Sequence, residues 1–147
     1  MTDKSPTRRH FSSGGLYEGR FGYCRALRTG ERILVSGCTS VIDGQVRHPG
    51  DAAAQMRVAL DTAIEALTAL GGSAADVVST RIYVVNRRDC EPVGVVHGER
   101  FARIRPTATM VLVAGLIEQA MLVEVELEAC IGTADPPEQA LSRGRRR

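Results

Sequence analysis

The chain of 147 residues has no tryptophan, and aromatic residues make up only 4% of it. Proteins that bind single-stranded nucleic acid stack the bases on aromatic rings, so a stacking surface of that kind has little support here. No apolar run approaches the roughly 18–20 residues that a membrane-spanning helix needs. We therefore expect no membrane segment, and the 44% of hydrophobic residues is enough to build the core of one globular domain.

The sequence also lacks the common spacings of metal ligands. Four cysteines and three histidines are spread along the chain with no Cys-x-x-Cys pair: Cys24, Cys38, Cys90, Cys130, His10, His48 and His97. No basic segment leads into an apolar run, as it would in a secretory signal. Scattered thiols in such a sequence favour free cysteines in a reducing cytoplasm, with no metal and no cofactor.

The small net charge of +2 hides an uneven distribution. Residues 1–15 and residues 133–147 each carry two net positive charges, which leaves −2 on residues 16–132. An acidic core with basic ends is unlike a nucleic-acid-binding face, so nucleic acid is not an expected partner. We predict a flexible N-terminal arm over residues 1–15, a folded domain over 16–132 and a disordered basic tail over 133–147.

Hydrophobic periodicity predicts five strands and two helices in the folded domain. The first helix begins at Asp51, whose carboxylate can cap the first turn, and Gly71-Gly72 ends it. The second helix spans residues 89–101 and starts near Pro92. Strands are predicted at residues 23–28, 33–36, 77–85, 107–113 and 121–131, and a loop with a turn at Asp43-Gly44 is predicted at 37–50.

The resulting order, β-β-α-β-α-β-β, describes an α+β domain in which two helices cover one face of a mixed sheet. The other face is left bare, and a bare sheet face usually meets another subunit. The last strand alternates, with Leu122, Glu124, Glu126 and Glu128 on one face and apolar residues on the other. Three carboxylates in a row repel each other, so they need solvent, cationic partners or a polar cleft.

Five segments carry a family resemblance: Gly22-Tyr23-Cys24-Arg25-Ala26, Ile33-Leu34-Val35-Ser36-Gly37, Gly71-Gly72-Ser73-Ala74-Ala75-Asp76-Val77-Val78, Arg105-Pro106-Thr107-Ala108-Thr109 and Leu122-Val123-Glu124-Val125-Glu126. In this order they resemble the reactive intermediate (enamine/imine) deaminase family, also called Rid or YjgF-like, part of which is named endoribonuclease L-PSP. The resemblance covers residues 22–131. It implies a chorismate-mutase-like protomer and a homotrimer with three small-molecule clefts between adjacent subunits.

The resemblance also implies which residues line the cleft. The deaminating branch holds a substrate carboxylate with an arginine at the position of Ala108, and alanine has no donor to replace it. Gly94 stands where many relatives carry asparagine, so the substrate would be larger or less acidic than a 2-iminoacid. Glu124 stands where relatives position a water. The implied substrate-binding residues are Tyr23, Ser36, Gly37, His97, Ala108 and Thr109.

Glu124 is the candidate catalytic group. Hydrolysis of an imine needs water activated towards the C=N carbon and a proton for the leaving amine, and a carboxylate partly removed from water can serve both steps. We therefore predict a small-molecule hydrolase or deaminase that acts on an imine, enamine or related C–N compound. Two alternatives stay open: a non-catalytic trimer that binds a metabolite or a protein partner, and an endoribonuclease, which the acidic core and the few aromatics disfavour.

Each candidate also has a structural interpretation. Glu124 could pair with Arg81 or Arg105, and either arginine could instead occupy the space that Ala108 leaves. No basic neighbour in the sequence marks a cysteine as a nucleophile. The remaining polar candidates also fit ordinary interface, boundary or strand positions: Glu126, Glu128, His97, Tyr23 and Thr109.

Overall fold

The computed structural model describes residues 7–134, which form eight strands, three α-helices and two short 3-10 helices, Ala74–Asp76 and Arg87–Asp89. The strands are β1 (Arg8–Phe11), β2 (Ala26–Thr29), β3 (Arg32–Cys38), β4 (Val41–Ile42), β5 (Gln45–Val46), β6 (Val77–Val84), β7 (Thr107–Leu112) and β8 (Val123–Cys130). The α-helices are α1 (Leu16–Phe21), α2 (Ala52–Ala69) and α3 (Cys90–Phe101). None of these helices has the length and apolar character needed to cross a bilayer. Apart from residues 133 and 134, the predicted basic tail lies outside the described residues.

Six strands form one mixed sheet in the order β1-β2-β3-β8-β6-β7. Strands β6 and β7 run parallel, and the other neighbours in this sheet are antiparallel. Strands β4 and β5 form a separate hairpin. Its turn is the predicted Asp43-Gly44, and both residues have the positive φ (51° and 73°) that a tight hairpin turn requires. The predicted α+β class with a mixed sheet is confirmed.

The long helix α2 lies across one face of the sheet. The Asp51 carboxylate accepts the Ala54 N–H at 3.0 Å, which caps the first turn as predicted. The apolar residues of the helix that face the sheet are fully buried, among them Met56, Leu60 and Leu67. Burying a side chain of this size stabilises the fold by about 1.5–3 kcal/mol. Helix α3 packs beside α2 on the same side of the sheet, and we call this side the covered face.

Strand register decides which side chains share the opposite face, called here the open face. Thr80, Ile82 and Val84 of β6 are buried on the covered face, so the alternate residues of β6 and of its neighbours point the other way. Strand β8 shows the predicted alternation of buried and partly exposed residues. The open face carries Arg81 and Tyr83 from β6, Thr107, Thr109 and Val111 from β7, and Glu124, Glu126 and Glu128 from β8.

The structure corrects the prediction for the first part of the chain. Residues 8–11 of the predicted flexible arm form β1, which pairs with β2 and packs Phe11 against the core. The predicted order also omits α1, whose residue Glu18 accepts the Gly15 N–H at 2.8 Å and the Ser13 hydroxyl at 2.6 Å. A strand of four residues and a helix of six contain too few apolar repeats to show a period in the sequence.

Two further differences concern the middle of the chain. The predicted loop at 37–50 contains the β4–β5 hairpin, whose strands are only two residues long. Helix α3 begins at Cys90, so Pro92 is its third residue rather than its first. A proline is tolerated there because the first four N–H groups of a helix have no partner within the helix.

Candidate active site

Glu124 and Gly37 form the centre of the candidate site. Strand β3 shifts its register against β8 between Val35 and Cys38, and the Glu124 side chain packs against the backbone of Gly37 in this interruption. A Cβ atom on residue 37 would stand 1.8 Å from Glu124 Oε1. Gly37 is therefore needed for its lack of a side chain, since any other residue would displace the carboxylate.

The three carboxylates of β8 have different surroundings. Glu128 Oε1 accepts from Arg32 Nε at 2.9 Å, and Glu126 Oε1 accepts the Tyr83 hydroxyl at 2.7 Å. Glu124 makes no hydrogen bond to any residue from 7 to 134. Because no buried side-chain oxygen or nitrogen in this range lacks a partner, both Glu124 oxygens are open to water. Glu124 is the carboxylate of the row that is free to react.

Arg25 lies beside this carboxylate. Its backbone is held between two strands, because its N–H donates to the Phe11 carbonyl at 3.0 Å and its own carbonyl accepts the Ser36 N–H at 2.9 Å. Its Nη1 donates to the Gly37 carbonyl at 2.5 Å and lies 3.7 Å from Cys38 Sγ. One end of the guanidinium is thus fixed against the same glycine that Glu124 contacts.

Burial and the Arg25 charge act on the carboxylate in opposite directions. Burial raises the pKa of Glu124, Arg25 lowers it and Glu126 raises it, and the outcome is a pKa above the ordinary value. A raised pKa brings proton exchange closer to neutral pH, as general acid–base catalysis requires. Burial likewise raises the pKa of Cys38 in spite of Arg25, so this thiol stays protonated and is a poor nucleophile.

Tyr23 and Ser36 lie at the same end of the sheet. Tyr23 is 40% exposed, and its ring centroid lies 5.7 Å from the guanidinium carbon of Arg25, within cation–π range. Ser36 Oγ donates to the Cys24 carbonyl at 2.7 Å, so its hydroxyl proton is used by the backbone. Four predicted site residues therefore come together around Arg25. We call the group the Glu124 cluster: Tyr23, Arg25, Ser36, Gly37 and Glu124.

His97 and Ala108 lie on the covered face instead. His97 Nε2 is 2.8 Å from Thr80 Oγ1, and the imidazole packs against the Phe101 ring with centroids 4.8 Å apart. Burial lowers the pKa of His97, so the ring is neutral at neutral pH. Ala108 is the register partner of Thr80 in the neighbouring strand. His97 and Thr80 are called the His97 pair below.

Thr109 points to the open face but lies away from Glu124. It is the register partner of Arg81, which is in turn the partner of Glu126, so two strand spacings, about 10 Å, separate Thr109 from β8. Within one chain the predicted site residues therefore lie in two separate groups. The Glu124 cluster is one, and the residues on or beside edge strand β7 are the other: His97, Ala108 and Thr109.

Neither arginine that the sequence suggested reaches Glu124. Arg81 Nη1 lies 3.7 Å from Glu126 Oε1. Arg105 precedes β7 at the end of the sheet where Glu128 lies, which is roughly 13 Å along β8 from Glu124. No three His, Cys, Asp or Glu side chains within residues 7–134 converge as metal ligands do.

Arg25 contacts the candidate site, but no pattern in the sequence marked it as a candidate residue. Alternation places it on one face of a predicted strand but does not say what it contacts. Its bond to the Gly37 carbonyl depends on how β2 pairs with β3, and a single sequence does not give that register. The one signal in the sequence was a charged residue within the first predicted strand, residues 23–28.

Comparisons with known proteins agree with this architecture. The sequence profile described as Endoribonuclease L-PSP matches residues 18–131. The 3-aminoacrylate deaminase RutC of Acinetobacter baylyi is 34% identical over 104 residues, which is 70% of this chain and 82% of the deaminase. An uncharacterized protein of Streptomyces coelicolor is 37% identical over 127 residues, or 86% of this chain and 95% of the relative.

A solved structure supports the same assignment. A member of the YjgF/YER057c/UK114 family from Mycobacterium tuberculosis matches with a TM-score of 0.78 at 42% identity, over 85% of this chain and 100% of that one. The profile match, the sequence relatives and the shared fold lead to one conclusion. The chain belongs to the endoribonuclease L-PSP family, also named YjgF/YER057c/UK114.

Proposed function

We propose that this protein hydrolyses an imine, an enamine or a related C–N compound, with Glu124 as its general acid and base. The observation that carries the proposal is the state of Glu124, which is half-buried, has a raised pKa and makes no hydrogen bond to residues 7–134. The 34% identical relative RutC is a 3-aminoacrylate deaminase, which supports C–N hydrolysis as the reaction class.

The reaction needs one group that moves a proton twice. Ionised Glu124 takes a proton from water as the water oxygen adds to the C=N carbon, and it passes that proton to the nitrogen. It then takes the hydroxyl proton of the resulting carbinolamine and passes it to the same nitrogen, so that the C–N bond breaks as the C=O bond forms. One imine and one water give one carbonyl compound and one amine, and Glu124 ends ionised as it began.

We do not expect this protein to bind the carboxylate of a 2-iminoacid in the way that is usual in the family. The arginine implied by the resemblance is replaced by Ala108, and Gly94 leaves further room beside β7, since a Cβ there would meet only Met110 Cε, at 3.7 Å. A substrate of this protein is therefore held by groups other than residue 108. RNA cleavage, named in the family's description, finds no support in the row of carboxylates on the open face, because like charges repel a polyanion.

We also propose that the protein forms a homotrimer in which two protomers share each cleft. The Glu124 cluster and β7 lie apart in one protomer, and Val111 and Leu112 on the edge strand β7 are 42% and 40% exposed. An exposed apolar edge strand favours docking against another protomer. Each cleft would combine Tyr23, Ser36, Gly37 and Glu124 of one protomer with the β7 edge of its neighbour at Ala108 and Thr109, and His97 would support that edge through its contact with Thr80.

Co-expression of Glu124→Gln chains with Ala108→Trp chains tests the shared cleft. Each variant alone is expected to be inactive, because the first lacks the carboxylate and the second fills the cleft from the β7 side. In mixed oligomers of three 15.8 kDa chains, some clefts have two wild-type halves, and random mixing returns about one quarter of the wild-type rate. No recovery would mean that both groups act from one protomer.

The hydrolase itself is tested with enzymatically generated imines whose disappearance is followed in the presence of the purified protein. The panel runs from 2-aminoacrylate to bulky and neutral imines. Faster loss of at least one imine supports the proposal. An unchanged rate across the panel would favour the alternative, a trimer that binds a metabolite or a protein partner without chemistry.

A further inference from the structure

We infer that Arg25 is the anion-binding residue of this site, and that the substrate is therefore an imine or enamine that carries its own carboxylate. The inference rests on the proposed function and adds the substrate class to it. It also gives a replacement for the arginine missing at Ala108, on the Glu124 side of the cleft rather than on the β7 side.

Arg25 presents two donors that the fold does not use. Its Nη1 is bound to the Gly37 carbonyl. Its Nε and Nη2 donate to no residue from 7 to 134, and because no buried side-chain nitrogen in that range lacks a partner, both atoms are open to solvent. Nε–H and Nη2–H lie parallel along one edge of the planar guanidinium, the geometry that binds both oxygens of a carboxylate.

The guanidinium is also held in place before a ligand arrives. Its backbone is paired on both sides, Nη1 is anchored, and the Tyr23 ring lies 5.7 Å from the guanidinium carbon. An arginine on a free surface would lose side-chain entropy when it bound a carboxylate. Arg25 has lost most of that freedom in folding, so more of the bonding free energy is available for affinity.

Neighbouring arginines of the sheet are already occupied. Arg28 donates to the Gly30 and Leu70 carbonyls, both at 2.9 Å. Arg32 is bound to Glu128, and Arg81 lies next to Glu126. Among the arginines of β2, β3 and β6 and the residue that enters β2, Arg25 is thus the one placed to receive an anion beside Glu124.

A carboxylate on Arg25 would also assist the chemistry. The Arg25 charge lowers the pKa of Glu124 against the effect of burial. An anion that neutralises this charge removes that influence, so the pKa of Glu124 rises further when substrate binds. Substrate binding would in this way prepare Glu124 to deliver a proton to the departing nitrogen.

The test uses propanoate as the probe and propanamide as its neutral counterpart. In protein labelled with ¹⁵N-arginine, the Arg25 Nε–H resonance, assigned by its loss in Arg25→Lys, should shift and saturate with propanoate but not with propanamide. Binding measured from the propanoate signals should weaken about 10- to 100-fold in Arg25→Lys, which keeps the charge but lacks the parallel donors. Two controls, Arg81→Gln on the open face and Arg57→Gln on α2, should bind propanoate like the wild type.

An Arg25 resonance that propanoate leaves unshifted would overturn the inference, as would binding that survives in Arg25→Lys and disappears in Arg81→Gln. Kinetics separate this failure from failure of the hydrolase. Saturable propanoate binding with no imine turned over supports the anion site and rejects the hydrolase. Turnover of carboxylate-bearing imines with a KM unchanged in Arg25→Lys rejects the anion site and leaves the hydrolase standing.

Discussion

The Glu124 cluster and the His97 pair lie on opposite faces of one sheet, and their titratable groups differ in how well they are satisfied. His97 has a hydroxyl partner, Thr80, at 2.8 Å, and burial keeps its pKa low and the ring neutral. Glu124 has no hydrogen-bond partner among residues 7–134, and burial keeps its pKa high. A satisfied group stabilises the fold, whereas an unsatisfied one can bind or react with a substrate.

Apart from removing Glu124 itself, the largest expected effect comes from filling the space beside Gly37 that the Glu124 carboxylate occupies. In Gly37→Ala the new methyl group would stand 1.8 Å from Glu124 Oε1, so the carboxylate must move. A displacement of about 1 Å in a catalytic group costs on the order of 100-fold in kcat/KM, which steady-state kinetics on the best imine of the panel would measure.

Gly98→Ala is the matched control for that substitution. A Cβ at residue 98 meets no atom within 4 Å, and the residue lies in α3, so the variant should gain about 0.5–1 kcal/mol of stability and keep its turnover. Full activity in Gly37→Ala would show that the position of Glu124 over Gly37 does not matter to catalysis.

Removing the His97 side chain should instead lower stability. In His97→Ala the buried Thr80 hydroxyl keeps only the Thr107 carbonyl, 3.5 Å away, so the free energy of unfolding should fall by about 1–3 kcal/mol in urea titrations. Because burial lowers the pKa of His97, the stability of the wild type falls as the pH drops through the folded-state pKa of this residue. The His97→Ala variant has no imidazole and should not show this fall.

A double-mutant cycle with Thr80→Val isolates the His97 pair. Valine replaces the hydroxyl with a methyl group of similar volume, so the double variant should lose less stability than the two single variants added together. Strict additivity would show that the contact at 2.8 Å contributes nothing to the fold.

Glu124→Gln should have the reverse effect on stability at neutral pH. Because burial raises the pKa of Glu124, the folded protein binds this proton more tightly than the unfolded chain, and stability is lost as pH rises through the folded-state value. Glutamine carries no charge to bury. The variant should therefore be slightly more stable than the wild type at pH 8, with a gap that closes towards pH 4, in urea unfolding across that range. A less stable variant at pH 8 would mean that attraction by Arg25 outweighs burial.

The smallest effect is expected at the other end of the carboxylate row. Arg32 binds Glu128, but the Arg32 side chain is 59% exposed. Exposed ion pairs contribute about 0–1 kcal/mol, so Arg32→Gln should shift the free energy of unfolding by less than that and leave turnover unchanged. A larger loss would mean that this end of the open face is buried in the assembly.

The elements that the sequence predicted well are those with many repeats or a strong local signal. Alternation over eight residues of β8 predicted the carboxylate row, and Asp51 and Gly71 marked the ends of α2. Strand β1 and helix α1 were missed because each is short and gains its stability from neighbours, β1 by pairing with β2.

The candidate site was only partly predictable for a different reason. Glu124 and Gly37 were each recognised in the sequence, but their contact depends on the shifted register between β3 and β8. The role of Arg25 depends on the same strands. Cross-strand register is a long-range property, so a single sequence names the residues of this site more readily than it shows their arrangement.

Two glutamates of β8 offer the most direct test of the proposed role of Glu124. Glu124→Gln and Glu126→Gln make the same change on the same face of the same strand, but only Glu124 is free of a hydrogen-bond partner within residues 7–134. With the best imine of the panel, kcat should fall about 10²- to 10⁴-fold in Glu124→Gln and stay near the wild-type value in Glu126→Gln. Equal rates in the two variants would contradict the assignment of Glu124 as the acid and base.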